Sequence, residues 1–247
     1  MKTAGNTILI TGGGSGIGRE LAVRFHALEN TVIVAGRRKA ALEQTIAGRE
    51  GMFAITLDME DPEAITACAR QLLADHPSLN VLINNAGILC REDLTSTRDL
   101  HDAEKTIVTN LLGPIRLTNA LTDHLARQPD AAVVNVTSAL AFVPLSGAPT
   151  YCASKAALHS YTLSLREQLK GKVEVIELAP PGVRTELEPG QSSREGFMAL
   201  DAFIEETMAL FGEKPTPAET LVRQVRFLRW AERDGHFDRA IGILTAH

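Results

Sequence analysis

Two patterns of apolar residues alternate along the chain. Short apolar runs rich in Val, Ile, Leu and Ala predict buried strands, and longer segments with apolar residues every three to four positions predict helices. The predicted strands are 6–11, 31–36, 51–57, 80–84, 131–137 and 173–179. The predicted helices are 16–28, 39–48, 62–75, 102–127, 151–169, 200–211 and 217–233.

Strands and helices that alternate in this order predict a doubly wound parallel sheet with helices on both faces, which is a three-layered α/β fold. No linker, repeat or low-complexity tract divides the chain, so we predict a single domain spanning residues 1–247. Asp61-Pro62 and Thr216-Pro217 mark helix starts, the second as part of a capping box. Gly113-Pro114 is expected to bend the helix at 102–127.

Composition excludes several classes of protein. Apolar residues make up 45% of the chain and aromatic residues only 4%, which suits helices packed closely on a buried sheet. The net charge of −5 argues against nucleic acid or an anionic membrane as the main partner. We expect neither a membrane span nor a secretory signal, because the apolar runs are short. Three cysteines without a paired motif indicate a reducing cytoplasm, and the seven histidines lack the spacing of a metal site.

A glycine-rich turn, Thr11-Gly-Gly-Gly-Ser-Gly-Ile-Gly18, lies between the first strand and the first helix. Glycines allow a tight turn and a close approach of backbone N–H groups to a pyrophosphate, which the positive end of the helix dipole also attracts. The turn therefore predicts dinucleotide binding, and a plain turn between strand and helix is the alternative. The expected contacts are Gly12, Gly14, Ser15, Gly16, Ile17 and Gly18.

Tyr151 and Lys155 lie four residues apart on the predicted helix 151–169, so they share one face of it. A phenol with an ordinary pKa of about 10 is a poor acid or base at neutral pH. A cation beside it stabilises the phenolate and lowers its pKa. By itself this spacing is common on surface helices. The neighbouring Cys152 points roughly 100° away, and we interpret it as a buried packing thiol.

Together these motifs resemble the short-chain dehydrogenase/reductase family, in its compact single-domain form. The residues that the chain shares with the family are Thr11-Gly12, Gly16 and Gly18, Asn84-Asn85-Ala86-Gly87, Asn110, Ser138, Tyr151 and Lys155. They occur in the family's order, and the resemblance extends through Thr185. It implies a Rossmann fold and an NAD(P)-dependent oxidoreductase.

The resemblance also implies a role for each catalytic residue. Tyr151 would exchange a proton with the substrate oxygen, Ser138 would hydrogen-bond that oxygen, and Lys155 would bind the nicotinamide ribose and keep the phenol acidic. Asn110 would hold a water in a proton relay to Lys155, with helix packing as the alternative. We expect NADP(H)-dependent hydride transfer between nicotinamide and a carbonyl compound or secondary alcohol. The alternative is a non-catalytic NADP(H)-binding redox sensor, which has no need of an acid–base group.

The end of the second strand bears on the choice of cofactor. NAD sites of this fold place an Asp or Glu there to bind the ribose hydroxyls, but this chain has Ala35-Gly36 followed by Arg37 and Arg38. Guanidinium groups bind phosphate bidentately. We therefore predict a 2′-phosphate pocket of Arg37, Arg38 and Ser15, and a preference for NADP(H) over NAD(H). A solvated arginine pair with loose cofactor choice is the alternative.

Further cofactor contacts follow from the resemblance. They are Asp58 and Met59 at the adenine, Asn85, Ala86 and Gly87 beside the adenosine ribose, and Pro181, Val183 and Thr185 at the nicotinamide. Asn84 could equally bind ligand or tie the strands together. Pro181 occupies a position where the family usually has glycine, and it is expected to stiffen this loop. This variant is similar to a bacterial subfamily associated with a lipoteichoic-acid D-alanylation operon, a label that establishes no substrate.

Apolar residues near the tyrosine indicate a hydrophobic ketone, aldehyde or secondary alcohol as substrate: Leu89, Leu140, Phe142, Pro144 and Leu145. The variable stretch 186–213 is predicted to be a mobile loop leading into a lid helix, although ordinary core packing could explain its apolar residues.

The end of the chain, 239–247, lacks the Asp-Gly-Gly strand found in tetrameric relatives. We therefore expect a homodimer formed through helices 102–127 and 151–170. Four arginines are expected to form a solvated stripe on one face of helix 217–233: Arg223, Arg226, Arg229 and Arg233.

Overall fold

The computed structural model describes residues 1–245, and a parallel sheet lies at its centre. The strands are β1 (Thr7–Thr11), β2 (Thr31–Gly36), β3 (Met52–Thr56), β4 (Leu79–Asn84), β5 (Ala132–Val136), β6 (Glu174–Leu178) and β7 (Glu219–Thr220). Within the described residues they form a seven-stranded sheet in the order β3-β2-β1-β4-β5-β6-β7, and all neighbours are parallel. The strand order reverses between β1 and β4, so the predicted doubly wound fold is confirmed.

Helices cover both faces of the sheet. They are α1 (Gly16–Ala27), α2 (Lys39–Ile46), α3 (Pro62–Asp75), α4 (His101–Ile107), α5 (Gly113–Leu125), α6 (Pro149–Gln168), α7 (Leu200–Gly212), α8 (Arg226–Arg229) and α9 (Phe237–Thr245). The start of α3 follows the prediction, because the Asp61 carboxylate accepts hydrogen bonds from the N–H groups of Glu63 and Ala64 and caps the helix.

The apolar runs are buried on both faces, which explains why they read as continuous rather than alternating. In β1, Ile8 and Ile10 join one apolar cluster with α1 and α7, whereas Leu9 joins a second cluster with α3 and α5. All three side chains are fully buried. The core therefore consists of two layers separated by the sheet.

The predicted helix 217–233, with its cap at Thr216-Pro217, is wrong. The chain instead forms β7, a 3-10 turn at Arg223–Val225 and the short helix α8. In β7, Glu219 and Thr220 pair with β6, and this backbone pairing of the last strand overrides a local preference for helix. The four arginines consequently do not share one helix face.

The segment predicted as one helix, 102–127, is divided by a π-helical turn at Val108–Leu112. Proline offers no N–H for a regular helical bond, and Pro114 follows directly after this turn, at the start of α5. A Cβ on Gly113 would lie 2.8 Å from the carbonyl oxygen of Met59. Glycine here therefore lets the helix approach the loop after β3.

Helix α7 packs into the core, which was the alternative to the predicted lid helix. Its residues Phe203, Ile204 and Phe211 are fully buried, and the Phe211 ring stacks on Phe25 of α1 at 6.0 Å. The loop before α7 is held at its start, because Val183 pairs with Met198 in an isolated bridge. Helix α7 is therefore part of the core, and mobility of the loop at 186–199 stays a prediction.

The C-terminal segment contains a helix that the sequence did not predict. In α9, Ala240 is buried against Val143 and Ala231. Ala246 and His247, the last residues of the predicted strand-free terminus, lie outside the described residues. Among the helices of residues 1–245, none is both long and apolar enough to cross a membrane.

Candidate active site

A cavity of about 490 Å³ opens at the carboxyl ends of the strands, where the strand order reverses. This is where open parallel sheets of this type bind ligands. The residues predicted for the site that line it are Gly12, Gly14, Ser15, Gly16, Ile17, Arg37, Arg38, Asp58, Met59, Asn85, Ala86, Gly87, Ser138, Tyr151, Lys155, Pro181, Val183 and Thr185. Gly18 and Asn110 are not among the lining residues.

The glycine turn requires its glycines. Gly12 has φ +70° and Gly16 has φ +52°, conformations that residues with side chains rarely adopt. A Cβ on Gly18 would lie 2.5 Å from the carbonyl oxygen of Gly12 and 2.4 Å from Nδ2 of Asn85. Gly18 thus serves the close packing of α1 on the turn. The backbone is left open at the start of a 12-residue helix, which suits a pyrophosphate.

The loop after β4 is tied to the glycine turn by hydrogen bonds. Thr11 Oγ1 accepts from the N–H groups of Asn85 and Ala86, each at 3.0 Å, and Asn85 Nδ2 donates to the Thr11 carbonyl at 2.9 Å. Asn84 points elsewhere: its Nδ2 donates to Thr118 and Asn135 inside the protein. Of the two alternatives for Asn84, the structural role is the one observed.

Two elements, β5 and α6, bring the catalytic candidates together. Ser138 follows β5, and both Tyr151 and Lys155 lie on α6. All three are buried and line the cavity. Lys155 Nζ lies 5.8 Å from the centroid of the Tyr151 ring and donates a hydrogen bond of 2.9 Å to the carbonyl of Val136.

Burial sets the proton affinities of this group. It raises the pKa of Tyr151 to about 12, although a hydrogen bond with Ser138 acts in the opposite direction. Burial also lowers the pKa of Lys155 to about 8. The predicted acidification of the phenol is therefore not observed in the protein alone, because desolvation of the phenolate outweighs its stabilisation. At neutral pH the phenol is a proton donor.

Asn110 lies in the π-helical turn, behind the cavity wall. Its side chain is fully buried and bonds both backbone groups of Ile88: Oδ1 accepts from the N–H, and Nδ2 donates to the carbonyl, each at 2.9 Å. Nδ2 also donates to Ser154 Oγ at 3.2 Å. A Cβ on Gly87 would lie 3.2 Å from Asn110 Oδ1 and 3.5 Å from Lys155 Nζ. Asn110 thus fixes the loop beside Lys155 and also joins helix α6 through Ser154; its role in a proton relay stays a prediction.

The two arginines after β2 have different partners. Arg38 donates to Ser15 Oγ at 2.9 Å, so it reaches back to the glycine turn. Arg37 forms a half-exposed ion pair with Glu60 at 3.1 Å. An exposed pair of this kind stabilises by at most about 1 kcal/mol, so a phosphate could displace Glu60. Both guanidinium groups border the cavity.

The opposite end of the cavity is bounded by the loop after β6. Thr185 lies against the glycine turn, since a Cβ on Gly16 would be 3.3 Å from its Cγ2. Gln191 Nε2 donates to the carbonyl of Val183 at 2.8 Å and to Thr185 Oγ1 at 3.2 Å. The sequence analysis missed Gln191, a buried lining residue. It lies in an irregular loop without any motif, so no sequence signal identified it.

Some of the predicted substrate residues lie near the tyrosine and others do not. Leu89, Leu140 and Leu145 pack around Tyr151. Phe142 instead packs beneath the site, with its ring 5.1 Å from that of His159, and Pro144 is exposed. Neither Phe142 nor Pro144 belongs to the apolar cluster of Tyr151, and their contact with the substrate stays a prediction.

A charged bridge connects the two loops that flank the substrate side. Arg91, in the loop after β4, binds the Glu188 carboxylate with Nε at 2.6 Å and Nη2 at 3.0 Å. Arg194 binds the same carboxylate at 2.8 Å. These hydrogen bonds hold the pKa of Glu188 below its ordinary range. The loop at 186–199 is thereby fastened beside the site.

The remaining chemistry-bearing groups have structural surroundings. Cys152 is buried, its Sγ accepts from the N–H of Leu145 at 3.2 Å, and burial raises the pKa of its thiol. A thiol in this state is a poor nucleophile. Within residues 1–245, no three His, Cys, Asp or Glu side chains are grouped as metal ligands.

Comparisons with known proteins identify the family of the chain. A family model described as short chain dehydrogenase matches residues 6–196. The chain is 42% identical over 243 residues to an uncharacterized oxidoreductase, DltE, of Bacillus subtilis (strain 168), with 97% of this chain and 96% of that protein covered. This relative confirms the predicted resemblance to the lipoteichoic-acid-operon subfamily.

Two further matches carry cofactor names. The chain is 31% identical over 189 residues to an NADP-dependent 3-hydroxy acid dehydrogenase of Schizosaccharomyces pombe, covering 74% of this chain and 73% of that protein. It superposes with a TM-score of 0.82 and 25% identity on a short-chain dehydrogenase from Sphingobium yanoikuyae in complex with NADPH, covering 96% and 95% of the two chains.

Proposed function

The chain belongs to the short-chain dehydrogenase family, and we propose that it is an NADP(H)-dependent oxidoreductase that interconverts an apolar carbonyl compound and its alcohol. The observation that supports this most directly is the meeting of Ser138, Tyr151 and Lys155 at one end of the cavity that begins at the glycine turn. A redox sensor would not require that group, and no feature of the site favours the sensor.

In this proposal the protein supplies a proton and the orientation of the reactants. Tyr151, protonated at neutral pH, donates its proton to the carbonyl oxygen during reduction, while Ser138 hydrogen-bonds the same oxygen as negative charge develops there. Lys155 would hold the ribose hydroxyls of the bound cofactor, and its ammonium group would return a proton to the tyrosinate that forms when Tyr151 has donated its own. A bound nicotinamide supplies the hydride to the carbonyl carbon. Oxidation of an alcohol is the reverse of these steps.

The cofactor fits the lining residues along the whole cavity. The glycine turn would hold the pyrophosphate, Asp58 and Met59 the adenine, and Val183 and Thr185 the nicotinamide end. Arg38, with Ser15 beside it, and Arg37 would bind a 2′-phosphate, which gives the preference for NADP(H) over NAD(H). The NADPH-bound Sphingobium protein and the NADP-dependent yeast relative support this preference; NAD(H) remains a possible second cofactor.

The substrate side supports an apolar substrate. Three leucines pack on the apolar cluster that contains Tyr151: Leu89, Leu140 and Leu145. A buried phenol favours a substrate whose reacting group is desolvated. We propose a hydrophobic ketone, aldehyde or secondary alcohol that binds beside the loop at 186–199.

A panel of carbonyl compounds tests the proposal. Purified protein is mixed with NADPH and graded aliphatic and aromatic ketones and aldehydes, and the loss of NADPH absorbance is recorded, with NADH in parallel. We expect turnover with at least one apolar carbonyl and faster turnover with NADPH. If NADPH binds tightly but no carbonyl or alcohol in the panel reacts, the sensor becomes the better explanation.

We further propose that the protein is a cytoplasmic homodimer that associates through α4, α5 and α6. Leu163 on α6 is 40% exposed, which is consistent with a partner covering that helix. The unpaired cysteines Cys68, Cys90 and Cys152 suit a reducing compartment. Light scattering tests the assembly: a dimer mass that becomes a monomer mass in Leu163→Arg is expected, and a tetramer mass would contradict it.

A further inference from the structure

Four polar residues lie side by side across the interior of the sheet. In register, Asn84 is paired with Asn135, Asn135 with Glu177, and Glu177 with Glu219. Neighbours in register share a face of the sheet, so these residues form a continuous line, called here the polar row. A buried polar group destabilises the fold unless it is hydrogen-bonded. The partners of each member therefore indicate what the row does.

The two asparagines of the polar row join the sheet to helices. Asn84 Nδ2 donates to Thr118 Oγ1 of α5 at 3.0 Å, and Asn135 Nδ2 donates to Thr162 Oγ1 of α6 at 2.9 Å. Neither threonine adjoins a catalytic residue in the sequence. These bonds explain packing and nothing more.

Glu177 differs, because both of its partners adjoin catalytic residues. Its side chain is fully buried. One carboxylate oxygen accepts from Thr137 Oγ1 at 2.6 Å, and the other accepts from His159 Nδ1 at 2.7 Å. Thr137 directly precedes Ser138, and His159 lies one helical turn after Lys155. A single buried carboxylate thus links the serine strand to the catalytic helix.

Each residue of the segment 136–138 interacts with a residue of α6 or with Glu177. The Val136 carbonyl accepts from Lys155 Nζ at 2.9 Å, and the Thr137 hydroxyl donates to Glu177 at 2.6 Å. Burial raises the pKa of Tyr151, and Ser138 beside it acts to lower that pKa. A shift of Thr137 would therefore move both the serine hydroxyl and the carbonyl that receives the ammonium of Lys155.

Charges around Glu177 come from three elements: His159 on α6, Glu219 on β7 and Arg229 on α8. Arg229 binds Glu219 bidentately at 2.7 and 2.9 Å. Its pKa is raised by that hydrogen bond first, and also by the charges of Glu219 and Glu177. The buried carboxylate of Glu177 thus faces a cation as well as two donors, which meets the condition for burying a charge.

We infer that Glu177 is a positioning residue for the reaction. By holding Thr137 and His159, it sets the distance between Ser138 and helix α6, which carries Tyr151 and Lys155. The kinetic test of this role rests on the proposed function, because the test needs a substrate that the protein turns over. A misplacement of about 1 Å can lower a rate by on the order of 100-fold, so a residue that touches neither substrate nor cofactor can still affect kcat.

The kinetic experiment compares Glu177→Gln, Thr137→Val and Thr137→Ser with the wild type. Thr137→Val keeps the shape and removes the hydroxyl, and Thr137→Ser restores the hydroxyl. We expect kcat to fall about 10-fold to 100-fold in the first two variants, with the Kd for NADPH unchanged, and to recover in Thr137→Ser. Glu177→Gln leaves one acceptor oxygen for two donors, and Thr137→Val removes one of those donors, so both variants weaken the same link. The double variant Glu177→Gln/Thr137→Val should therefore lose hardly more than either single variant.

Glu174→Gln is the matched control, because Glu174 lies on the same strand but is exposed; it should keep the wild-type kcat. Unchanged kcat in Thr137→Val, or a loss of kcat that follows a loss of thermal stability across all variants, would overturn the inference.

A spectroscopic readout separates this inference from the proposed function. The protein has only two tyrosines, so the 13Cζ resonance of Tyr151 can be assigned with Tyr161→Phe, and it reports the hydrogen bond to Ser138 without any substrate. We expect this resonance to shift in Glu177→Gln and Thr137→Val and to stay in place in Glu174→Gln. Should the wild type turn over no substrate, the proposed function fails while the resonance still decides the role of Glu177; no shift in either variant rejects it.

Discussion

The ammonium nitrogen of Lys155 lies 2.9 Å from the carbonyl oxygen of Val136, at the end of the strand that leads to Ser138. This bond aims the lysine across the tyrosine ring and leaves it buried, with only 3% of its surface exposed. Desolvation then lowers its pKa to about 8. Lys155 is therefore a cation that loses its charge at mildly alkaline pH.

The first prediction concerns the proton donor. Tyr151→Phe removes the hydroxyl and little else, so turnover should fall by at least about 100-fold, because general acid catalysis contributes that much or more. NADPH binding, followed by fluorescence titration, should change little. Tyr161→Phe, on the same helix, is the matched control and should keep wild-type activity. Turnover retained in Tyr151→Phe would remove this residue from the mechanism.

The second prediction is a pH dependence. Lys155 is charged below its pKa of about 8, and Tyr151, with a pKa of about 12, stays protonated throughout the neutral range. The kcat/KM for carbonyl reduction should therefore be constant up to about pH 7 and fall as the lysine loses its proton. Initial rates from pH 6 to 10 in buffers of constant ionic strength measure this. A rate that rises through this interval would contradict it.

The third prediction is that Lys155 destabilises the fold that it serves. Burial lowers its pKa from 10.5 to about 8, so the unfolded chain holds more protons between these values, and stability due to this group rises with pH there. Below pH 8 the buried ammonium keeps its full unfavourable contribution to the free energy of folding. Lys155→Met should therefore abolish activity yet raise the free energy of unfolding at pH 7 by on the order of 2 kcal/mol.

Urea unfolding at pH 7 and pH 10 measures that change, and the gain should shrink at the higher pH. Lys170→Met, an exposed lysine beyond the end of the same helix, is the control and should show no comparable gain. A Lys155→Met protein that is less stable than the wild type at pH 7 would show that the bond to Val136 outweighs the desolvation of the ammonium.

The fourth prediction concerns cofactor choice. Arg37→Asp should weaken NADPH binding by about 10-fold to 100-fold, because a charge-assisted hydrogen bond is worth about 1.5–3 kcal/mol, and it should weaken NADH binding far less. Arg38→Ala should act in the same direction. Fluorescence titrations with both cofactors measure the ratio. Lys39→Asp is the control, since Lys39 is exposed and pairs with Glu43; an equal loss for NADH and NADPH in Arg37→Asp would reject the phosphate pocket.

The fifth prediction tests the glycine turn. A Cβ at Gly18 would lie 2.5 Å from the Gly12 carbonyl oxygen, so Gly18→Ala must displace the turn. We expect a loss of about 1–3 kcal/mol in stability and weaker NADPH binding, measured by thermal unfolding and titration. Gly242→Ala, where the same test finds no atom within 4 Å, should be neutral or slightly stabilising. Tight NADPH binding by Gly18→Ala would argue against a pyrophosphate at this turn.

Much of the site was predictable because it depends on local chemistry. The glycine turn needs no partner to be recognised, since its conformation follows from missing side chains, and the spacing of Tyr151 and Lys155 follows from helix geometry alone. Buried strands were equally clear, because each is an apolar run. The start of α3 was predictable because its cap, Asp61, lies beside it in the sequence, whereas the similar signal at Thr216-Pro217 is overridden by the pairing of β7 with β6.

The sequence alone determined the order of the first six strands, the family resemblance and the residues of the cavity that belong to motifs. Only the tertiary structure decided that 219–220 pairs as a strand, that Asn110 fixes a loop, that Glu60 competes for Arg37 and that Glu177 joins the serine strand to the catalytic helix. Each of these depends on contacts between residues distant in the chain. Such contacts leave no periodic or compositional trace, because the partner that stabilises them is brought close only when the sheet assembles.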